Sequence, residues 1–126
     1  MIHKNNSCPP SVLIWDSSEL PPSFDGKIIL WNQFNHASNL NYISLPDVVE
    51  NESDYFREQY LSWVYEFGNL KINNTNLINS LKIRSDFSYW WMTLISEKCN
   101  WEKSPKIYDA IRMIALNDWL INNDIS

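Results

Sequence analysis

DFSYWWMTLISEKCNWEKSPKIYDAIRMIAL, running from Asp86 to Leu116, sets Phe87, Tyr89, Trp90, Trp91 and Trp101 around two helix-start signals. Asp86 has the side chain of a helix N-cap, Ser88 falls in the first turn, and Lys98 would complement the negative end of a helix dipole. These signals predict a helix over 87–98. Phe87, Trp90, Trp91, Leu94 and Ile95 then leave it apolar on most sides, as a buried helix is, or one that offers a face to a ligand. Ser104-Pro105 is a cap followed by proline at the first helical position, where its missing N–H is not needed. A second helix is expected from Pro105 to about Leu120, with Ile107, Ala110, Ile111, Ile114, Ala115 and Leu116 on a wide apolar arc.

Upstream, Val12-Leu13-Ile14-Trp15 and Lys27–Trp31 (KIILW) are short, continuous apolar runs rich in β-branched and aromatic residues, the pattern of buried strands. Pro21-Pro22 forces an extended connection between them and Asp25-Gly26 signals a turn. The spacing allows a parallel or an antiparallel pair. Tyr42-Ile43-Ser44 is a candidate third strand. A helical region opens at Pro46, with Asn51 or Ser53 as cap. Phe56, Tyr60, Val64 and Phe67 recur at helical spacing, and Gly68 is read as the stop. Asn73-Asn74 marks a turn, and Thr75 to Leu81 a short helix. Few strands followed by several helices make an α/β fold with too few strands for an ordinary doubly wound sheet. Residues 1–11, ending in Pro9-Pro10, read as a loose arm, and 12–126 as a single domain.

Composition narrows the function. The 126 residues suit one domain able to bury roughly two-thirds of its unfolded surface. A net charge of −5 argues against a nucleic-acid binder. Two glycines cannot build a phosphate loop of the Walker or GxGxxG type, so no nucleotide cofactor is expected. His3, His36, Cys8 and Cys99 lack metal-site spacing, so no metal is expected either. Two unpaired cysteines suit a reducing compartment, and no apolar run approaches the roughly 20 residues of a membrane span. The expected setting is the cytoplasm. Charge is uneven: residues 1–81 carry four bases and nine acids, whereas residues 82–112 carry six bases and four acids. The aromatic block therefore lies in the one locally basic region, where a phosphate or carboxylate would be drawn.

The candidate site residues each have a plain structural reading beside the functional one. Asp16 closes the first strand, and ligands of open α/β sheets lie beyond the carboxyl ends of strands. It also suits a turn. Tyr89 and Trp91 are large amphipathic faces on which a sugar or base can stack, or core residues. Glu97 and Lys98 can orient a sugar hydroxyl and a phosphate, or form a solvated helix end. Ser104 is an N-cap, and a capped helix start also attracts anions.

Ser88–Lys98 (SYWWMTLISEK), then Ser104-Pro105-Lys106-Ile107-Tyr108-Asp109 and an Ala-Leu-rich helix, resembles bacterial surface carbohydrate biosynthesis proteins, which serve O-antigen or capsule synthesis and are glycosyltransferase-like. Ile14-Trp15-Asp16, Phe24-Asp25-Gly26, Leu30-Trp31-Asn32 and a helix over 55–68 fit the same layout, so the resemblance covers about residues 11–120. It implies a GT-B-like architecture of which this chain corresponds to the N-terminal, acceptor-side portion, a C-terminal donor-binding domain being missing. Catalysis by this portion alone is not expected. The implied partner is a sugar or lipid-linked acceptor, with at most peripheral association at the inner face of the inner membrane. A reading from another class stays open: a small acidic interaction module, such as an immunity or inhibitor protein, which acidity and surplus aromatics also suit.

Overall fold

The structure, a computed structural model, describes residues 11–93, 96 and 104–125. The chain falls into two compact units, one formed by residues up to Asn51 together with those from Ala115 onward, the other by Glu52–Ile114.

In the first unit, β1 (Val12–Trp15), β2 (Lys27–Leu30) and β3 (Tyr42–Ser44) form a three-stranded sheet in the order β1-β2-β3. Both pairings are parallel, with Trp15 opposite Leu30 and Leu30 opposite Ser44. Of the two arrangements open at the sequence level, the structure takes the parallel one. Parallel strands usually need a crossover helix. Here residues 16–26 and 31–41 make both crossovers without one. Two side-chain amides and a lysine ammonium hold these loops in its place. Gln33 Nε2 donates to Glu19 O at 2.9 Å, Asn35 Nδ2 to Asn39 O at 2.9 Å, and Lys27 Nζ to Leu40 O at 2.7 Å. The abundance of Asn in 32–41 thus has a structural use: short amides replace the backbone partners that a helix would have supplied. The core of this unit includes Ile28, Ile29, Leu30, Leu45 and Val49, all at or below 3% exposure.

α1 (Leu45–Asn51) follows β3 directly and packs on β2 and β3. Its first turn is capped by the buried Ser44, whose Oγ accepts the Asp47 N–H at 3.1 Å and donates to Gln33 O at 2.8 Å. α2 (Ser53–Asn69) begins after Glu52, which makes no side-chain cap. The expected caps at Asn51 and Ser53 are therefore corrected. The capping side chain upstream is Ser44, made legible only by the helix starting at Leu45.

The second unit is built on α2. Phe56, Tyr60, Val64 and Gly68 are buried along one face. Gly68 does not stop the helix. Its φ is not positive, and the last turn continues to Asn69 before Leu70 N–H caps Phe67 O. A Cβ on Gly68 would stand 2.5 Å from Trp90 Nε1 and 2.9 Å from Cε2. The glycine is there to let an indole lie against the helix backbone.

β4 (Lys71–Ile72) and β5 (Thr75–Asn76) form a hairpin whose two-residue turn, Asn73-Asn74, has φ of 51° and 64°. Both values are left-handed, as a type I′ turn requires, and Asn tolerates them better than any residue but Gly. α3 is shorter than expected, Leu77–Ser80, with Asn76 Oδ1 accepting the Asn79 N–H at 2.8 Å.

The expected helix 87–98 is corrected over its described part. Phe87-Ser88 is a strand, β7, paired antiparallel with β6 (Lys82–Arg84) across a bulge. Tyr89–Met92 is a single 3₁₀ turn, capped by Ser88 rather than Asp86, and Thr93 is extended. The reason is local chemistry. Phe, Tyr, Trp and Thr are poor helix formers, and short hydroxyl side chains offer the backbone other partners. Ser88 Oγ is spent on Ile78 O at 2.5 Å. Thr93 Oγ1 and Ser96 Oγ both donate to Trp90 O, at 2.7 and 2.6 Å, the oxygen a continuing helix would need.

The helix expected from Pro105 is present as α4, Pro105–Asn122, with Ser104 O accepting the N–H groups of Ile107 and Tyr108. Ile107, Ile111 and Ala115 are buried at i, i+4 and i+8.

Candidate functional site

Two places carry the residues singled out by the sequence, one in each unit. The first is the carboxyl end of the parallel sheet. Asp16 is exposed just past β1, and its Oδ1 accepts a hydrogen bond from Asn32 Nδ2, two residues past the end of β2. Beside them Gln33 reaches Ser17 O, while Asp47 Oδ2 accepts the Asn35 N–H at 2.9 Å. Parallel register aligns these strand ends, so carboxylates and amides converge as the carboxyl-end rule expects. The network is largely satisfied within itself, which gives Asp16 a structural role as well as an outward position.

The second is the aromatic wall of the second unit. With three residues per turn, a 3₁₀ helix points successive side chains about 120° apart. Trp90 therefore turns inward, 4% exposed, while Tyr89 and Trp91 turn out on two different sides, 49% and 43% exposed. The Tyr89 N–H donates to Leu81 O at 2.8 Å, which fixes the turn beside β6. Lys82, Ile83 and Arg84 of that strand are all exposed. Behind the wall, Trp63 and Phe67 stack at 5.3 Å with their planes 10° apart, and Phe67 meets Trp90 at 5.8 Å. Trp90 Nε1 is buried with no hydrogen-bond partner among the described residues. Burial also pushes the Tyr60 hydroxyl pKa above its ordinary 10.0.

Compared with known proteins, the chain matches no family model, no curated protein and no solved structure. The functional reading therefore rests on the residues themselves.

Tyr89 and Trp91 are brought together on one turn, though not on one face. Asp16 belongs to the other unit. Ser104 is half-buried at the start of α4, with its carbonyl in the helix hydrogen bonding. Glu97 and Lys98 lie outside the described residues, as do His3, Cys8 and Cys99. His36 is exposed, its ring 5.9 Å from that of Phe34. Among the described residues no cluster of three His, Cys, Asp or Glu is placed to hold a metal ion, and no helix is long and apolar enough to cross a membrane. The sequence placed Lys82 and Arg84 in the basic region of the aromatic block but did not reveal the strand that carries them. Their alternation as K-I-R between Leu81 and the Ser85-Asp86 pair was the available signal for a strand.

Proposed function

We propose that the chain serves bacterial surface polysaccharide assembly, of the O-antigen or capsule type, as the N-terminal, acceptor-side portion of a glycosyltransferase-like protein of the GT-B kind. One observation carries this reading: Tyr89 and Trp91 hold out their rings on either side of a buried, anchoring Trp90. A pyranose presents C–H groups on one face and hydroxyls at its edge. An aromatic ring with a polar tip can meet both. Exposed Lys82 and Arg84 next to the wall supply charge for a phosphate-linked acceptor, as guanidinium and ammonium groups do for phosphoryl oxygens. In this reading Glu97 and Lys98 orient a sugar hydroxyl and a phosphate, and Asp16 faces ligand at the sheet end. The work is done in the cytoplasm, at the inner face of the inner membrane. The sequence resemblance supports the same assignment.

The test is a chromosomal Trp91→Ala change in the source organism, read by surface polysaccharide on a gel and by the amount of folded protein. Loss of polymer with normal protein level is the expected result. Normal polymer with normal protein level rejects the proposal.

A second reading, a small acidic interaction module, is favoured by a different feature: Leu61 and Tyr65 stand exposed among carboxylates on α2. Polysaccharide that is unchanged in Trp91→Ala, together with a stable partner complex, would favour it.

A further inference from the structure

α2 is apolar on more than one side. Its buried face is centred on Phe56, Tyr60 and Val64. Tyr65 lies five residues after Tyr60, the middle of that face, and at 100° per residue that is about 140° round the helix. Tyr65 is 61% exposed, and Leu61, one turn before it, is 36% exposed. Asp54, Glu58, Leu61 and Tyr65 follow one another at helical spacing along this outer line, with Glu66 and Ser62 beside them. Together they line a shallow depression of about 420 Å³. An apolar pair at i, i+4 edged by three carboxylates is not what solubility alone would select, because Leu and Tyr contribute nothing to it there.

We propose that this outer face of α2 is a docking surface for a basic amphipathic helix of a partner protein. The occupant follows from complementarity of charge and shape. The partner helix sets an apolar side chain between Leu61 and Tyr65, and its Lys or Arg side chains meet Asp54, Glu58 and Glu66. Two helices packed in this way approach to about 8–10 Å, close enough for those charges to pair across the seam. Arg57 also lines the depression. The proposal rests on α2 alone and is independent of the carbohydrate reading.

The probe is a synthetic helical peptide about 18 residues long, spanning about five turns, with Leu on one stripe and Lys elsewhere. Its binding to the full chain is followed by fluorescence anisotropy. The expected result is saturable binding that weakens several-fold between about 20 and 150 mM salt. Tyr65→Ser and Glu58→Lys each weaken it about tenfold, and Glu19→Lys, the same charge change in the other unit, alters it less than twofold. Tyr65 and Glu58 are exposed, so both variants keep the fold, as circular dichroism will check. Equal loss in Glu58→Lys and Glu19→Lys, or no effect of Tyr65→Ser, shows a non-specific polycation contact and overturns the proposal. So does no binding at peptide concentrations near 1 mM. Sedimentation of the free chain supplies the rival occupant: a dimer broken by Tyr65→Ser assigns the face to a second copy instead.

Discussion

Gly68 shows how a single residue changes meaning between sequence and structure. At the end of a periodic apolar run it reads as a left-handed helix stop. In the fold it sits inside the helix with negative φ, and its missing Cβ is what Trp90 occupies. Alanine is the better helix former by about 1 kcal/mol. The clash with a rigid indole outweighs that gain, so Gly68→Ala is expected to destabilise by about 1–3 kcal/mol in urea unfolding. Combined with Trp90→Phe, which removes Nε1 and Cε2, the same change should cost distinctly less. Additive costs would show that the two do not touch. Tyr60 yields a pH prediction. Burial raises its pKa in the fold, so above pH 10 the unfolded chain loses its proton first and stability falls as pH rises through the folded value. Below pH 10 this contribution is constant. Tyr60→Phe should therefore show a shallower loss of stability above about pH 10 than the unmodified chain.

At the scale of elements, success followed signals that only one structure could use. Ser104-Pro105 started a helix where expected, and KIILW and VLIW became strands. The failure over the described part of 87–98, Phe87–Thr93, came from weak local helix propensity and from a side chain whose partner is distant in sequence. Ser88 is taken by Ile78 O, and nothing within the stretch reveals that. The two accounts of this segment separate cleanly by mutation. Ser88→Ala leaves the part-buried Ile78 carbonyl short of a donor and uncaps the 3₁₀ turn, for a cost of about 1–2 kcal/mol. Asp86→Ala removes no cap and should stay within about 0.5 kcal/mol of the parent. A large loss at Asp86 with none at Ser88 would restore the helix reading. The two hairpins were missed for a related reason: strands of two or three residues carry too little alternation to be read. The Asn73-Asn74 turn was visible, its flanking strands were not.

For the molecule as a whole, the α/β class was legible because continuous apolar runs with proline-rich connections exclude an all-helical chain. The parallel arrangement was not. It goes with crossovers held by the amides of Gln33 and Asn35 and by the ammonium of Lys27, which have no sequence signature of their own. Of the site, the aromatic block was legible as a feature and ambiguous as a role. The structure divides it, with Trp90 inside and Tyr89 and Trp91 outside. Successive side chains diverge in an α-helix as in a 3₁₀ turn, so what the sequence lacked was which of the three faces the core. Lys82 and Arg84 stand exposed on the strand beside this wall, in a chain whose net charge is −5.

The most direct measurement of the carbohydrate proposal is a ¹H–¹⁵N spectrum of the indole groups during titration with oligosaccharides and sugar 1-phosphates. The account predicts saturable shifts of Trp91 and smaller ones of Trp90. A Trp91→Ala chain should remain folded and lose binding at least tenfold. Indole signals that stay fixed up to about 10 mM ligand, or binding that survives Trp91→Ala unchanged, would contradict it.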